Sequence, residues 1–339
     1  SEITIDGLVN VGADGEASVD GYSSNEAVSA TAADINIGGG EIHAVNGAEV
    51  AIRACGDTGP NYGIVNFNSN NRQYTNEDKK MPRVGTIKIH KVSDFEIGNL
   101  RAIIEGDIVT KGSMERNEQV KGQVNIGLKD KGSHWTGNYT DFRGKNVEKD
   151  APGAVNLKMK DGAWWKGFNN GAMNVSMAGK ETNWLGFSMN DAMQLTMKDG
   201  ATWYNAITPE QKDQEGALTV AKIGYLTADK GVIDMTGAKV FTATEEAVSG
   251  IFQAKNPSGV IESTNGTTGD VLVNHYSGNS VIIYKHDKKE PAESKEGLTI
   301  QGGNFRIKKA DKNSIITLRT DRDGLKLISD KAKDKNVIN

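Results

Sequence analysis

The chain has 339 residues, 40 basic and 44 acidic side chains, a net charge of -4 and 37% apolar residues. That length allows two ordinary domains or one elongated repetitive one, and apolar residues that recur along the whole chain with little net charge argue against disorder. There is no G-x-y period of collagen, no apolar run approaching the ~18 residues of a membrane-spanning helix, and no basic excess of the kind that marks a nucleic-acid partner.

From the start of the chain, short pieces of apolar and polar alternation occur at 3–5, 35–37, 50–52 and 64–67. Period 2 with one apolar face predicts half-buried strands. The 40 Gly residues punctuate them as turns. Cys55 is the only cysteine, so no internal disulfide or cysteine metal site can form. That usage fits export through an oxidising space, and equally a buried small apolar side chain. The adjoining G-D-T-G-P at 56–60 is similar to a protease nucleophile loop, but Thr58 replaces the Ser and only one histidine, His43, precedes it. A turn is the expected reading.

The stretch 69–84 loses the alternation and is expected to leave the fold as a loop. It holds Arg72, Tyr74, Lys79, Lys80 and Arg83 within twelve positions. Tyr and Arg are enriched where interfaces carry most energy, so these five are candidate binding residues. Alternation returns at 86–89 and 102–104, and further loops are expected at 111–122 and 141–153.

Four segments between Val124 and Trp203 then align with one another. They begin at Val124, Val155, Met173 and Met193, at spacings of 31, 18 and 20 residues. In each, apolar residues alternate with polar ones, and a Trp falls 10 or 11 positions after the start: Trp135, Trp165, Trp184 and Trp203. A repeat of 18–20 residues cannot bury its own apolar face, but stacking one repeat on the next does. Leu157, Val175 and Leu195 are then expected at equivalent interior positions. Asn125, Asn156, Asn174 and Gln194 should form an outward polar ladder, and the four Trp residues a second ladder packed in the core or the turns. Trp164 points opposite to Trp165, so it is expected to reach solvent and joins the binding candidates. Asp130, Asp161 and Asp199 recur beside glycines, which predicts turn chemistry rather than a cation ladder.

Beyond Trp203, Tyr204 adjoins an expected loop at 205–216 and is a further binding candidate. Alternation continues at 232–235, 271–273, 280–284, 298–300, 305–307 and 315–318, broken by a charged insertion at 286–297. The five histidines, His43, His90, His134, His275 and His286, show no i, i+4 pair. No catalytic or metal motif stands out, so no catalytic residue, metal or cofactor is expected.

The expected fold is all-β: a right-handed parallel β-helix with three short strands per coil of about 18–20 residues and protruding loops. One such body would span 1–339, with irregular coils over 1–123, the Trp-containing repeats over 124–204 and further coils over 205–339. About 13–15 coils would give a rod on the order of 65 Å.

The segment G-D-V-L-V-N-H-Y-S-G-N-S-V-I-I-Y-K-H-D from Gly269 to Asp287 resembles passenger domains of monomeric (type V secretion) autotransporters, as do the two strand-like pieces after it and V-N-L-K-M-K-D-G-A-W-W. The passengers most similar in style belong to Veillonella-like anaerobic diderm bacteria. The resemblance covers about 124–323 and is carried by β-helical signatures. It implies a fragment of an exported passenger at the cell surface, tied to the outer membrane through a C-terminal barrel absent from this sequence. It also implies adhesion to a host matrix protein, a mucosal glycoprotein or glycan, or other bacteria. A spacer stalk and a β-helical glycan-processing enzyme are the alternatives.

Overall fold

The structure, a computed structural model, describes residues 2–14, 26–45, 50–56, 62–70, 89–111, 122–141, 149–189, 191–207, 219–237, 268–286, 300–320 and 326–327. These residues build a parallel β-helix with three faces per coil. On the first face, residues 2–5 pair with 34–37, and these with Gly63–Phe67. The ladder continues through Gly122–Lys129, Val155–Lys160, Met173–Ala178 and Met193–Lys198 to 225–229 and 275–279. The second face runs from 8–14 through 39–45, Ala102–Glu105, His134–Thr136, Trp164–Lys166, Asn183–Gly186, Thr202–Asn205, 232–234 and 281–283 to Ile315–Thr320. The third face is shorter. Val28–Thr31, Val50–Cys55, Asp107–Lys111, Tyr139–Asp141 and Asn169–Asn170 are followed by a single bridge at Ser188 and then by 220–223, 270–273 and 305–307.

The described residues complete roughly nine coils, on the order of 45 Å at about 4.8 Å per rung. Among the described residues that is fewer than the expected 13–15 coils, because register partners such as Phe67 and Ile126 are separated by far more than a uniform 18–20 residues. Of the alternating pieces, 86–88 and 298–299 lie outside the described residues, and Ile89 belongs to no strand.

Identical register fills the interior. Leu157 pairs with Val175 and Val175 with Leu195, all three buried, in one column with Phe67 and Ile126 before them and Leu226 after. The second-face interior column runs Ile42, Ile104, Trp135, Trp165, Trp184, Trp203, Ile233 and Ile282. Its four indoles are fully buried and stack at 4.8, 5.0 and 5.1 Å, with planes within 13° of parallel. Each indole N–H donates to a glycine carbonyl of the preceding coil: Trp135 to Gly106, Trp165 to Gly137 and Trp184 to Gly167 at 3.0 Å, and Trp203 to Gly186 at 2.9 Å. A Cβ on Gly167 or Gly186 would lie 1.8 Å from the carbonyl oxygen of the glycine one coil earlier. Glycine is thus required by the close approach of the backbones, and the sequence pattern W-x-G, present at Trp135, Trp165 and Trp184, records that coupling.

Turn chemistry accounts for the recurring aspartates. Asp130, Asp161 and Asp199 all have φ between 53° and 70°, a region Asp tolerates better than most residues. Cys55 is buried, its Sγ 3.1 Å from Thr31 Oγ1.

Part of the outward amide ladder forms, buried rather than open. The chain of amide bonds ends at Asn156, and Asn174 and the half-buried Gln194, though in the same column, bond to residues 150–151 instead. Asn66 donates to Asn36, Asn125 to Asn66 and Asn156 to Asn125, each at 2.8 Å and each in the same direction along the rod. Two straps lie over it. In the first, the His90 carbonyl accepts from Gln123 at 2.8 Å and from Asn156 at 3.0 Å, Phe95 is buried, and Lys158 Nζ donates to the Phe95 carbonyl. In the second, the Ala151 carbonyl accepts from Asn174 at 2.7 Å and the Asp150 N–H donates to Gln194 at 2.8 Å.

Candidate functional site

Among the described residues, the outer side of the second face carries a group of ionisable and aromatic side chains in mutual contact. Strand alternation turns Ile42, Ile104 and Trp135 inward, so their neighbours Glu41, His43, Ile103, Glu105, His134 and Thr136 turn outward. Register then sets Glu41 beside Ile103 and His134 in one column, and His43 beside Glu105 and Thr136 in the next.

His43 links two coils. Its Nδ1 lies 2.7 Å from Glu105 Oε2 and its Nε2 lies 3.2 Å from Glu41 Oε2. Glu105 Oε1 faces His134 Nε2 at 3.8 Å, and Arg101 Nη2 faces Glu41 Oε1 at 3.8 Å. Both imidazoles are buried and the two carboxylates are mostly so. His134 Nδ1 has no hydrogen-bond partner.

Burial opposes charge on His43, but the hydrogen bonds and charges of Glu105 and Glu41 outweigh it and raise the imidazole above its ordinary value. Burial likewise opposes charge on Glu105, and the hydrogen bonds from His134 and His43 overcome it, holding this carboxyl down to about 2. A glycan-processing site needs two carboxylates turned toward a substrate. Glu41 and Glu105 instead close on His43. Among the described residues, no three His, Cys, Asp or Glu side chains are placed to hold a metal ion.

Two of the binding candidates fall on this face. Trp164 continues the Glu41 column and stacks on His134 at 4.3 Å with parallel planes. It is only 6% exposed, which corrects the expectation that it reaches solvent. The ring does turn away from the core, but His134 covers one side of it and the Asn183 rung follows on the other. Tyr204 lies in the neighbouring column two rungs further on, between Leu185 and Asp234, and is half-buried. Burial, and then the Asp234 charge, push its phenol up. Arg72, Tyr74, Lys79, Lys80 and Arg83 lie outside the described residues.

The sequence reading missed Glu41, His43, Arg101, Glu105 and His134 as a group. Aligning E-I-H, I-I-E and H-W-T on Ile42, Ile104 and Trp135 would have found four of them.

The connections between faces follow a pattern. Second-face strands that end at 14, 45, 205, 234 and 286 are followed in the chain by third-face strands that begin at 28, 50, 220, 270 and 305, so these five junctions fall at one corner of the described coils. Third-face strands that end at 55, 111 and 141 are followed by first-face strands that begin at 63, 122 and 155. Comparisons with protein-family models, curated proteins and solved structures return no match.

Proposed function

We propose that the chain is a non-catalytic adhesive segment of a cell-surface passenger, binding a host matrix protein, a mucosal glycoprotein or partner bacteria. The observation that carries this reading is the shared corner. Five second-face strands end, and the third-face strands that follow them begin, at one edge of a stacked core, and connections on a rigid scaffold can supply specificity. The resemblance to autotransporter passengers supports the same reading and the surface location. A spacer stalk is the second reading, favoured by one hydrophobic core that runs from Val28 to Phe305.

The test is a binding array of immobilised matrix proteins, mucins, glycans and whole bacteria, probed with the purified chain. Saturable binding is expected. It should weaken when residues 208–218, which connect the faces at that corner, are replaced by a short Gly linker. Weakening instead on replacing Arg72, Lys79, Lys80 and Arg83 by Gln, most visibly at low salt, where charge steering is least screened, would put binding on the basic stretch and not at the corner. A folded chain that binds nothing supports the stalk. Reproducible hydrolysis of a glycan, lost on replacing one Asp or Glu, overturns both readings.

A further inference from the structure

The strand Ala102–Glu105 is buried between two neighbouring strands of the second face. It is four residues long, and it is the next second-face strand in the chain after Asp34–Val45. The first strap, which seals the amide ladder, immediately precedes it.

We propose that Glu41, His43, Glu105 and His134 form a proton-controlled clamp that holds Ala102–Glu105 between its neighbouring coils and thereby sets how firmly the strap 89–101 lies on the rod.

The clamp reaches both neighbours. Glu41 and His43 come from the coil before, on one unbroken strand, Asp34–Val45. His134 comes from the coil after. Arg101 immediately precedes the clamped strand and Glu105 is its last residue. Arg101 faces Glu41, donates from Nε to the Gly132 carbonyl at 3.2 Å, and offers its own carbonyl to the Gly40 N–H at 2.7 Å. No other described charged residue shares these rungs. Asn10 and Gly12 stand beside Glu41 and His43 in the first coil, Ile103 lies between Glu41 and His134, and Thr136 follows Glu105. The next residues outward in the two columns are Trp164, over His134, and Lys166, one rung beyond Thr136.

The hydrogen-bond inventory fixes the charge state that closes the clamp. Ionised carboxylates only accept. An imidazole with a carboxylate oxygen at each nitrogen therefore needs both N–H groups, so the closed clamp requires the His43 cation. With His43 charged, Glu41, Glu105, His43 and Arg101 sum to no net charge. Loss of the His43 proton turns a lone pair toward a carboxylate and leaves an excess negative charge in a buried cluster, which is costly.

The sign follows from linkage. The folded value of His43 lies above its ordinary 6.5, so its contribution is fully present below 6.5 and is lost as pH rises through the raised value. Glu105 is held down to about 2 from 4.5, so its contribution is present above 4.5 and is lost as pH falls toward about 2. The clamp is therefore closed below pH 6.5, down to 4.5, and loosens as pH rises through the raised His43 value, and the strap loosens with it.

The experiment is hydrogen exchange on the intact chain, corrected for the intrinsic pH dependence of exchange, between about pH 6 and about pH 9. Peptides within 89–105 should lose protection by more than about threefold as pH rises, while peptides within 164–203, in the Trp coils, keep theirs. Glu105→Gln should abolish that step. If this variant does not fold, the imidazole titration of His43 in the wild-type chain, followed by NMR, decides: a midpoint above 6.5 supports the clamp. Protection of 89–105 that does not change with pH, a step of equal size in the Trp coils, a step that persists in Glu105→Gln, or a His43 midpoint at or below 6.5 overturns it.

Discussion

Truncating Trp184 to Ala removes the centre of the aromatic column and tests what holds the middle coils together. The ring is fully buried between Trp165 at 5.0 Å and Trp203 at 5.1 Å, and its N–H satisfies the Gly167 carbonyl at 3.0 Å. Loss of a buried Trp with the cavity it leaves costs about 3–5 kcal/mol. Two stacked neighbours add about 0.5–1.5 kcal/mol each beyond area, and an orphaned buried carbonyl costs about 1–3 kcal/mol. These contributions overlap, and about 5 kcal/mol is the expected loss. Trp184→Phe keeps most of the stack and loses the hydrogen bond, so about 2 kcal/mol is expected. The assay is urea unfolding followed by circular dichroism, with exposed Lys198→Ala as the control. Because the stability of a stacked repeat is nearly a sum over neighbouring units, Trp184→Ala should split the transition, with the Trp coils melting first. A loss no larger than that of Lys198→Ala, about 0.5 kcal/mol or less, would refute the reasoning.

Gly167→Ala drives a methyl into the Gly137 carbonyl and should destabilise by about 1–3 kcal/mol or more, as overpacking does; a neutral effect in the same unfolding assay contradicts the coupled Trp–Gly ladder. Val175→Asp buries an unpaired charge between Leu157 and Leu195 and should leave the chain largely insoluble or unfolded, whereas a well-folded variant would mean the register is wrong. Tyr284 is pushed up to about 12 by burial, so the stability it contributes is present below pH 10 and lost as pH rises toward 12. A Tyr284→Phe variant should therefore show a shallower alkaline decline in melting temperature than the parent.

How far the sequence reveals this architecture depends on the face. The first face is legible because Val155–Lys160, Met173–Ala178 and Met193–Lys198 are each six residues of clean alternation. The third is legible only at 50–52, 271–273 and 305–307, because between them Asn169–Asn170 and the Ser188 bridge are too short to display any period. The outward direction of Asn125 and Asn156 is also legible, whereas their burial depends on straps contributed from residues 89–95 and 149–153, distant in sequence and without a periodic signature. Trp164 fails for a related reason. Alternation decides which way a ring points, but stacking on adjacent rungs decides how much of it water reaches. The ionisable group on the second face joins His43 to Glu105 across 62 positions. Irregular spacing between the early coils hides that match, whereas the 18- and 20-residue spacings of the later coils expose theirs.

Everything above rests on parallel coils stacked in one register, and a cross-linking pair tests that most directly. Lys129 and Lys160 are register partners on adjacent coils, and Lys198 lies three rungs from Lys129. In a Cys55→Ala background, Lys129→Cys with Lys160→Cys should form a disulfide under mild oxidation, since rungs about 4.8 Å apart fall within disulfide reach. Lys129→Cys with Lys198→Cys should not, at roughly 14 Å. A bond in the second pair, or failure of the first in a folded chain, would contradict the stacked-coil account.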